Sequence, residues 1–97
     1  MSIGTTIKEL RKLKKIKQTD FAEKCGITTT YLSLIENNKK QPSQDVLNRI
    51  SDSLEIPYPI LAFLSMNPEE ISEDKRELYL QITKPFGELL KSFFITT

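Results

Sequence analysis

The side chains able to do chemistry gather between Gln18 and Ser43. That stretch holds the hydroxyls of Thr28, Thr29, Thr30 and Ser33, the amides of Gln18, Asn37 and Asn38, and the ammonium groups of Lys39 and Lys40. These are groups for non-covalent recognition. Short hydroxyls give single hydrogen bonds and methyl contacts, and lysines meet anions as point charges. Covalent and metal chemistry find little to use. The chain has no histidine and one cysteine, Cys25, which excludes a histidine-based catalytic unit, a structural zinc site and an intramolecular disulfide. There is no glycine-rich phosphate loop and no paired-carboxylate pattern, so no catalytic residue, cofactor or metal is expected and the chain does not read as an enzyme.

The charge balance names a class of partner. The whole chain of 97 residues is formally +1, but residues 1–40 carry nine Lys or Arg against four Asp or Glu. Basic charge therefore lies in the half that holds the recognition groups, where a polyanion would dock. Lys12, Lys14 and Lys15 in that half read either as a solvated helix face or as distant contacts to the same polyanion. At 38% hydrophobic and 28% charged, the composition is that of a folded soluble chain. No apolar run approaches the roughly 20 residues of a membrane span and no signal-peptide core is present, so a cytoplasmic protein with no membrane partner is expected.

Short helices must position these groups. The spacing of Ile3, Ile7, Leu10 and Leu13 predicts helix 1 over about Ser2–Lys14, unless Thr6 and Glu9 form a capping box and start it later. Helix 2 is expected from Gln18 to Cys25, with Phe21, Ala22 and Cys25 inward and Gly26 as its left-handed stop. Thr28 is placed to cap helix 3, about Thr29–Asn37, with Leu32 and Ile35 inward and Ile27 beneath both helices. Cys25 reads as a small buried apolar residue. Tyr31 either packs on helix 2 or reaches outward. A helix that stops at glycine and a second behind a threonine cap form a helix-turn-helix pattern, which presents its second helix to the DNA major groove. Ser43 is the expected cap of helix 4, whose apolar face is Val46, Leu47, Ile50 and Leu54, and Pro57 and Pro59 open a short helix 5 through Leu64.

From Gln18 to Ser43 the chain resembles the phage repressor and Cro-type helix-turn-helix family, the XRE family. The likeness covers about residues 3–64. It rests on Ile7, Leu10 and Arg11 in helix 1, Gln18, Phe21 and Ala22 in helix 2, and Gly26-Ile27-Thr28 at the turn. It continues through Leu32, Ser33, Ile35, Glu36 and Asn37 in helix 3 and Pro42, Ser43 and Leu47 beyond. It implies an all-α fold, a five-helix lambda-repressor-like DNA-binding domain over residues 1–66, to which the spacing of the tail adds a C-terminal helical extension. It also implies double-stranded DNA as partner and action as a dimer in transcriptional control. By the same resemblance Thr29, Thr30, Ser33 and Leu34 contact bases, while Gln18, Thr28, Asn37, Asn38, Lys39 and Lys40 contact phosphates. Arg11 and Glu36 form a structural salt bridge between helices 1 and 3. Three positions depart from the pattern: Lys17 stands where Ser or Thr usually caps helix 2, Asn38 where glycine is common, and Leu34 where a long polar side chain often reads bases.

Residues 67–97 form an acidic connector and an amphipathic tail. Leu78, Ile82, Phe86, Leu89 and Phe93 recur at 4, 4, 3 and 4 spacing, a stripe interrupted only by Pro85, which either kinks one helix or opens a second. Such a stripe packs on its own domain, pairs with a second copy or binds another protein. Operators with two half-sites favour the second copy, so a homodimer is expected through this stripe together with Leu61, Phe63 and Leu64 of helix 5. The alternative is a protein-interaction module, an antitoxin or a controller protein, whose tail binds a protein partner.

Overall fold

The computed structural model describes residues 2–95, with side chains through Phe94. The ends of the two expected units, at Met1 and at Thr96–Thr97, lie outside the described residues. Six α-helices follow in order: α1 (Ile3–Leu13), α2 (Gln18–Cys25), α3 (Thr29–Glu36), α4 (Gln44–Leu54), α5 (Tyr58–Leu64) and α6 (Glu73–Ile95), with one 3₁₀ turn at Pro68–Glu70 before the last. The architecture is all-α, five short helices followed by a longer C-terminal one.

Three helices start on hydroxyl caps. Ser2 Oγ accepts from Thr5 N, Thr28 Oγ1 from Tyr31 N at 3.0 Å, and Ser43 Oγ from Val46 N at 3.2 Å. Each cap satisfies one of the otherwise orphaned amide groups of a first turn. Lys17 offers α2 no side-chain cap, as its type implies. The capping-box start at Thr6 is not formed. Thr6 lies within α1, buried, and its hydroxyl donates to the Ser2 carbonyl at 3.0 Å. Gly26 ends α2 at φ 70°, and Asn38 follows α3 at φ 61°, so asparagine takes the left-handed position that glycine often fills.

Thirteen buried apolar residues make the core, among them Ile7, Leu10, Phe21, Leu32, Ile35, Ile50, Leu54, Ile56 and Leu61. Most were expected from helical spacing. Leu13 is the exception in α1 and is largely exposed. Ile27 and Tyr31 are half-buried and pack against the core. Cys25 is buried as expected.

Two points left open for the tail are decided by the structure. Pro85 opens no second helix, since α6 runs from Glu73 through Ile95 with proline inside it. And the stripe Leu78, Ile82, Phe86, Leu89 and Phe93 is exposed, Phe93 to 77%. The face turned to the domain is the adjacent one, with Tyr79, Thr83, Gly87, Leu90, Lys91 and Phe94 half-buried. Phe86 still meets Phe63 edge to face at 5.4 Å, and Lys91 Nζ pairs with Glu9 Oε1 of α1 at 2.8 Å. Leu61, expected at a contact between subunits, is fully buried in the core of its own chain and offers no surface.

Candidate nucleic-acid interface

α3 carries its threonine and serine hydroxyl groups on one face. At 3.6 residues per turn, Thr29, Thr30, Ser33, Leu34 and Asn37 fall within an arc of about 140°. Leu32, Ile35 and Glu36 fill the opposite side and are buried. Thr30 and Asn37 are exposed, and Thr29, Ser33 and Leu34 are half-buried. The Asn37 amide donates to Ser33 Oγ at 3.4 Å, one turn apart on that face. The apolar side of α3 is thus spent on the core, and its hydroxyl and amide side is left outward.

The turn that holds α3 in place is tied from two directions. Arg49 of α4 donates from Nη1 to the carbonyls of Cys25 and Gly26 at 3.3 and 3.4 Å, closing the C-terminal end of α2. Its other arm pairs with Asp45 at 3.1 Å. From the opposite side, α1 crosses close to the end of α3. A Cβ on Gly4 would collide with the Ile35 carbonyl oxygen, so only glycine permits this approach. Asn38 Nδ2 donates to Thr5 Oγ1 at 3.0 Å, anchoring the loop after α3 to α1.

Beneath the outward face lies a buried polar cluster. The Glu36 side chain is 0% exposed. Its Oε2 accepts from Arg11 Nε at 2.7 Å, and its Oε1 from Arg11 Nη2 at 3.0 Å, so the expected pair exists and is bidentate. Oε1 also accepts from Gln18 Nε2 at 3.0 Å. Arg11 Nη1 donates to the Ile16 carbonyl at 2.8 Å. One carboxylate therefore joins α1, the connection before α2, the first residue of α2 and the last residue of α3. The Arg11–Glu36 part is in the sequence resemblance. The Gln18 contact is not, because nothing in helical periodicity links residues on separate helices.

Elsewhere the expected contact residues sit apart from the core. Thr28 uses its hydroxyl oxygen as the α3 cap and keeps its proton for an outside acceptor. Lys39 and Lys40 are exposed and make no ion pair among the described residues. At the far ends of α1 and α4, Lys14 Nζ bonds the Leu54 carbonyl, which neutralises a helix C-terminus rather than reaching a partner. The Cys25 thiol is pushed above its ordinary value by burial, with weaker opposing effects from a Ser53 hydrogen bond and the charges of Lys24 and Arg49. It is therefore a protonated core residue near neutral pH. No helix among the described residues is long and apolar enough to cross a membrane, and no cluster of ligating side chains among them is suited to a metal ion.

Comparison with known proteins points the same way. A helix-turn-helix family model matches residues 7–61. The ImmF control region 10 kDa protein of Bacillus phage phi105 is 41% identical over 59 residues, covering 61% of this chain and 66% of that protein. The immunity repressor protein of the same phage is 30% identical over 92 residues, 94% of this chain and 64% of that protein. The HTH-type transcriptional regulator SinR of Bacillus subtilis is 40% identical over 55 residues, 56% of this chain and 50% of that protein. The matched segments thus span between half and two thirds of these relatives. No solved structure matches the chain at a significant level.

Proposed function

Since the chain belongs to the helix-turn-helix family, we propose that it is a sequence-specific DNA-binding transcriptional regulator, a repressor or autoregulator, with α3 in the major groove. The observation that carries this is the outward face of α3, where Thr29, Thr30, Ser33, Leu34 and Asn37 stand together on a helix whose other side is sunk in the core. Thr29, Thr30, Ser33 and Leu34 meet base edges. Gln18, Thr28, Asn37, Asn38, Lys39 and Lys40 meet phosphates on either side of the groove. Phosphates fix the position and bases fix the sequence. None of the base-facing side chains offers the bidentate pairing that arginine gives guanine or glutamine gives adenine, so DNA shape supplements direct reading. The repressor role leans on the similarity to the phage immunity repressor. The site of action is the cytoplasm.

Residues 1–66 form the DNA-binding unit and residues 67–97 the association unit of a homodimer. The exposed apolar stripe of α6 supports this, since a continuous face of Leu78, Ile82, Phe86, Leu89 and Phe93 is costly to leave in water. Phe63 and Leu64, half-buried beside Phe86 and Gly87 of α6, border it. The same stripe equally suits a protein partner, which is the second reading. Ile82→Glu with Leu89→Glu separates them: under the first reading light scattering shows a fall from dimer to monomer mass. An unaltered chain that is already monomeric refutes the homodimer.

Selection from random duplex DNA tests the main reading and returns the site with its half-site spacing. Lys39→Glu with Lys40→Glu should then abolish binding. Affinity unchanged between about 50 and 200 mM salt would contradict a phosphate-led interface.

A further inference from the structure

The Arg11–Glu36 pair is structural by resemblance, but its third partner gives it a second task. Gln18 Nε2 donates to Glu36 Oε1 at 3.0 Å, and that carboxylate is fully buried. The orientation of the Gln18 amide follows from chemistry. Turned the other way, its carbonyl oxygen would face a carboxylate oxygen, two acceptors with no hydrogen between them. The amide nitrogen therefore points inward, spends one hydrogen on Glu36 and keeps the other for an acceptor outside. Gln18 is half-buried at the first position of α2, where the backbone amides of the first turn have no side-chain cap from Lys17. The carboxylate is itself fixed by two bonds from Arg11, whose third arm holds the Ile16 carbonyl just upstream of α2.

We infer that Glu36, with Arg11 behind it, is a positioning residue for a DNA phosphate contact made by Gln18. This rests on the DNA-binding reading above and deepens it. Glu36 is the last residue of α3, so a single buried group sets the phosphate-facing amide of α2 relative to the base-facing helix. A free glutamine would lose side-chain entropy on reaching a phosphate. Here that cost is met in folding, and binding finds the donor already aimed.

The test is a thermodynamic cycle on the full chain, with the duplex recovered by selection using the unaltered protein. Affinities are read by fluorescence anisotropy between 50 and 200 mM salt for Gln18→Ala, for the apolar pair Arg11→Met with Glu36→Leu, and for all three changes together. Gln18→Ala and the pair should each weaken binding about tenfold, the scale of one hydrogen bond to a charged group. The triple variant should bind no more weakly than either, because the pair acts only through Gln18. The salt dependence should be the same in all four proteins, since none loses a cation that meets DNA. A general distortion of the interface would flatten it by dislodging lysines. Losses that multiply to about a hundredfold, or a pair variant that binds like the unaltered chain, overturn the inference. Gln18→Ala with full affinity overturns it too while leaving the regulator reading intact, whereas an unaltered chain that selects no sequence overturns both. Where urea titration shows the pair variant unfolded, nuclear magnetic resonance of the unaltered chain decides: a motionally restricted Gln18 amide group is expected, and a freely rotating one overturns the proposal.

Discussion

Removing the Glu36 carboxylate alone should be among the most damaging single changes in this chain. Glu36→Ala deletes the acceptor of three bonds, two from Arg11 and one from Gln18. Arg11, itself buried, is left with the Ile16 carbonyl as its only partner among the described residues. An uncompensated buried charge of this kind costs about 3–5 kcal/mol. Total stability for a domain of this size is about 5–15 kcal/mol, so the change removes a large fraction of it. At about 4–8 °C per kcal/mol, the melting temperature should fall by at least about 12 °C. Replacing both partners by apolar residues is a different perturbation. Arg11→Met with Glu36→Leu strands no charge, and its stability should lie within about 1 kcal/mol of the unaltered chain. Equilibrium urea unfolding measures both, with the transition slope checked for constancy. The reasoning fails if Glu36→Ala costs under about 1 kcal/mol, which would mean that water reaches Arg11, or if the double change is as costly as the single one.

Glycine should divide into two behaviours. Gly4→Ala forces a Cβ into the Ile35 carbonyl oxygen and should cost about 1–3 kcal/mol in thermal unfolding, whereas Gly87→Ala meets only a Leu64 methyl at 3.7 Å and should gain about 0.5–1 kcal/mol from helix propensity. Gly26→Ala places a side chain at φ 70° and should cost about 1 kcal/mol by the same assay. The Cys25 thiol should resist iodoacetamide at pH 7–8 in the native chain and react on unfolding. Its pKa is raised in the folded state, so it favours folding while the thiol stays protonated, and that contribution is lost as pH climbs past the ordinary thiol range; urea midpoints that rise with pH there would contradict it.

The site was legible where a residue's role is local. Thr28, Ser43 and Gly26 act on amides and carbonyls within one turn, so residue type and position suffice to assign them. The inward residues of α2, α3 and α4 follow from a period near 3.6 because each helix has one core to face. What could not be read are contacts between helices that lack a pattern. Gly4 looks like a poor helix former until the Ile35 carbonyl is seen above it, and Arg49 looks like a surface charge until the end of α2 is placed beside it. Gln18 and Glu36 are each assignable alone; that they touch depends on where α1 brings Arg11.

The tail shows why periodicity can name a helix and still leave open which face meets the domain. Leu78, Ile82, Phe86, Leu89 and Phe93 recur at 4, 4, 3 and 4 spacing, and Tyr79, Thr83, Gly87, Leu90 and Phe94 recur at the same spacing one residue later. The two stripes lie about 100° apart on one helix. Hydrophobicity selects the first, which is the larger and more apolar. The domain takes the second, where Tyr79, Thr83, Gly87, Leu90 and Phe94 are half-buried and Gly87 lies beside Leu64. The weaker stripe is therefore the one that packs within the chain, and the stronger one remains outside. Two apolar faces of unequal bulk, with the bulky one outward, are what the proposed pairing of α6 with another chain would use.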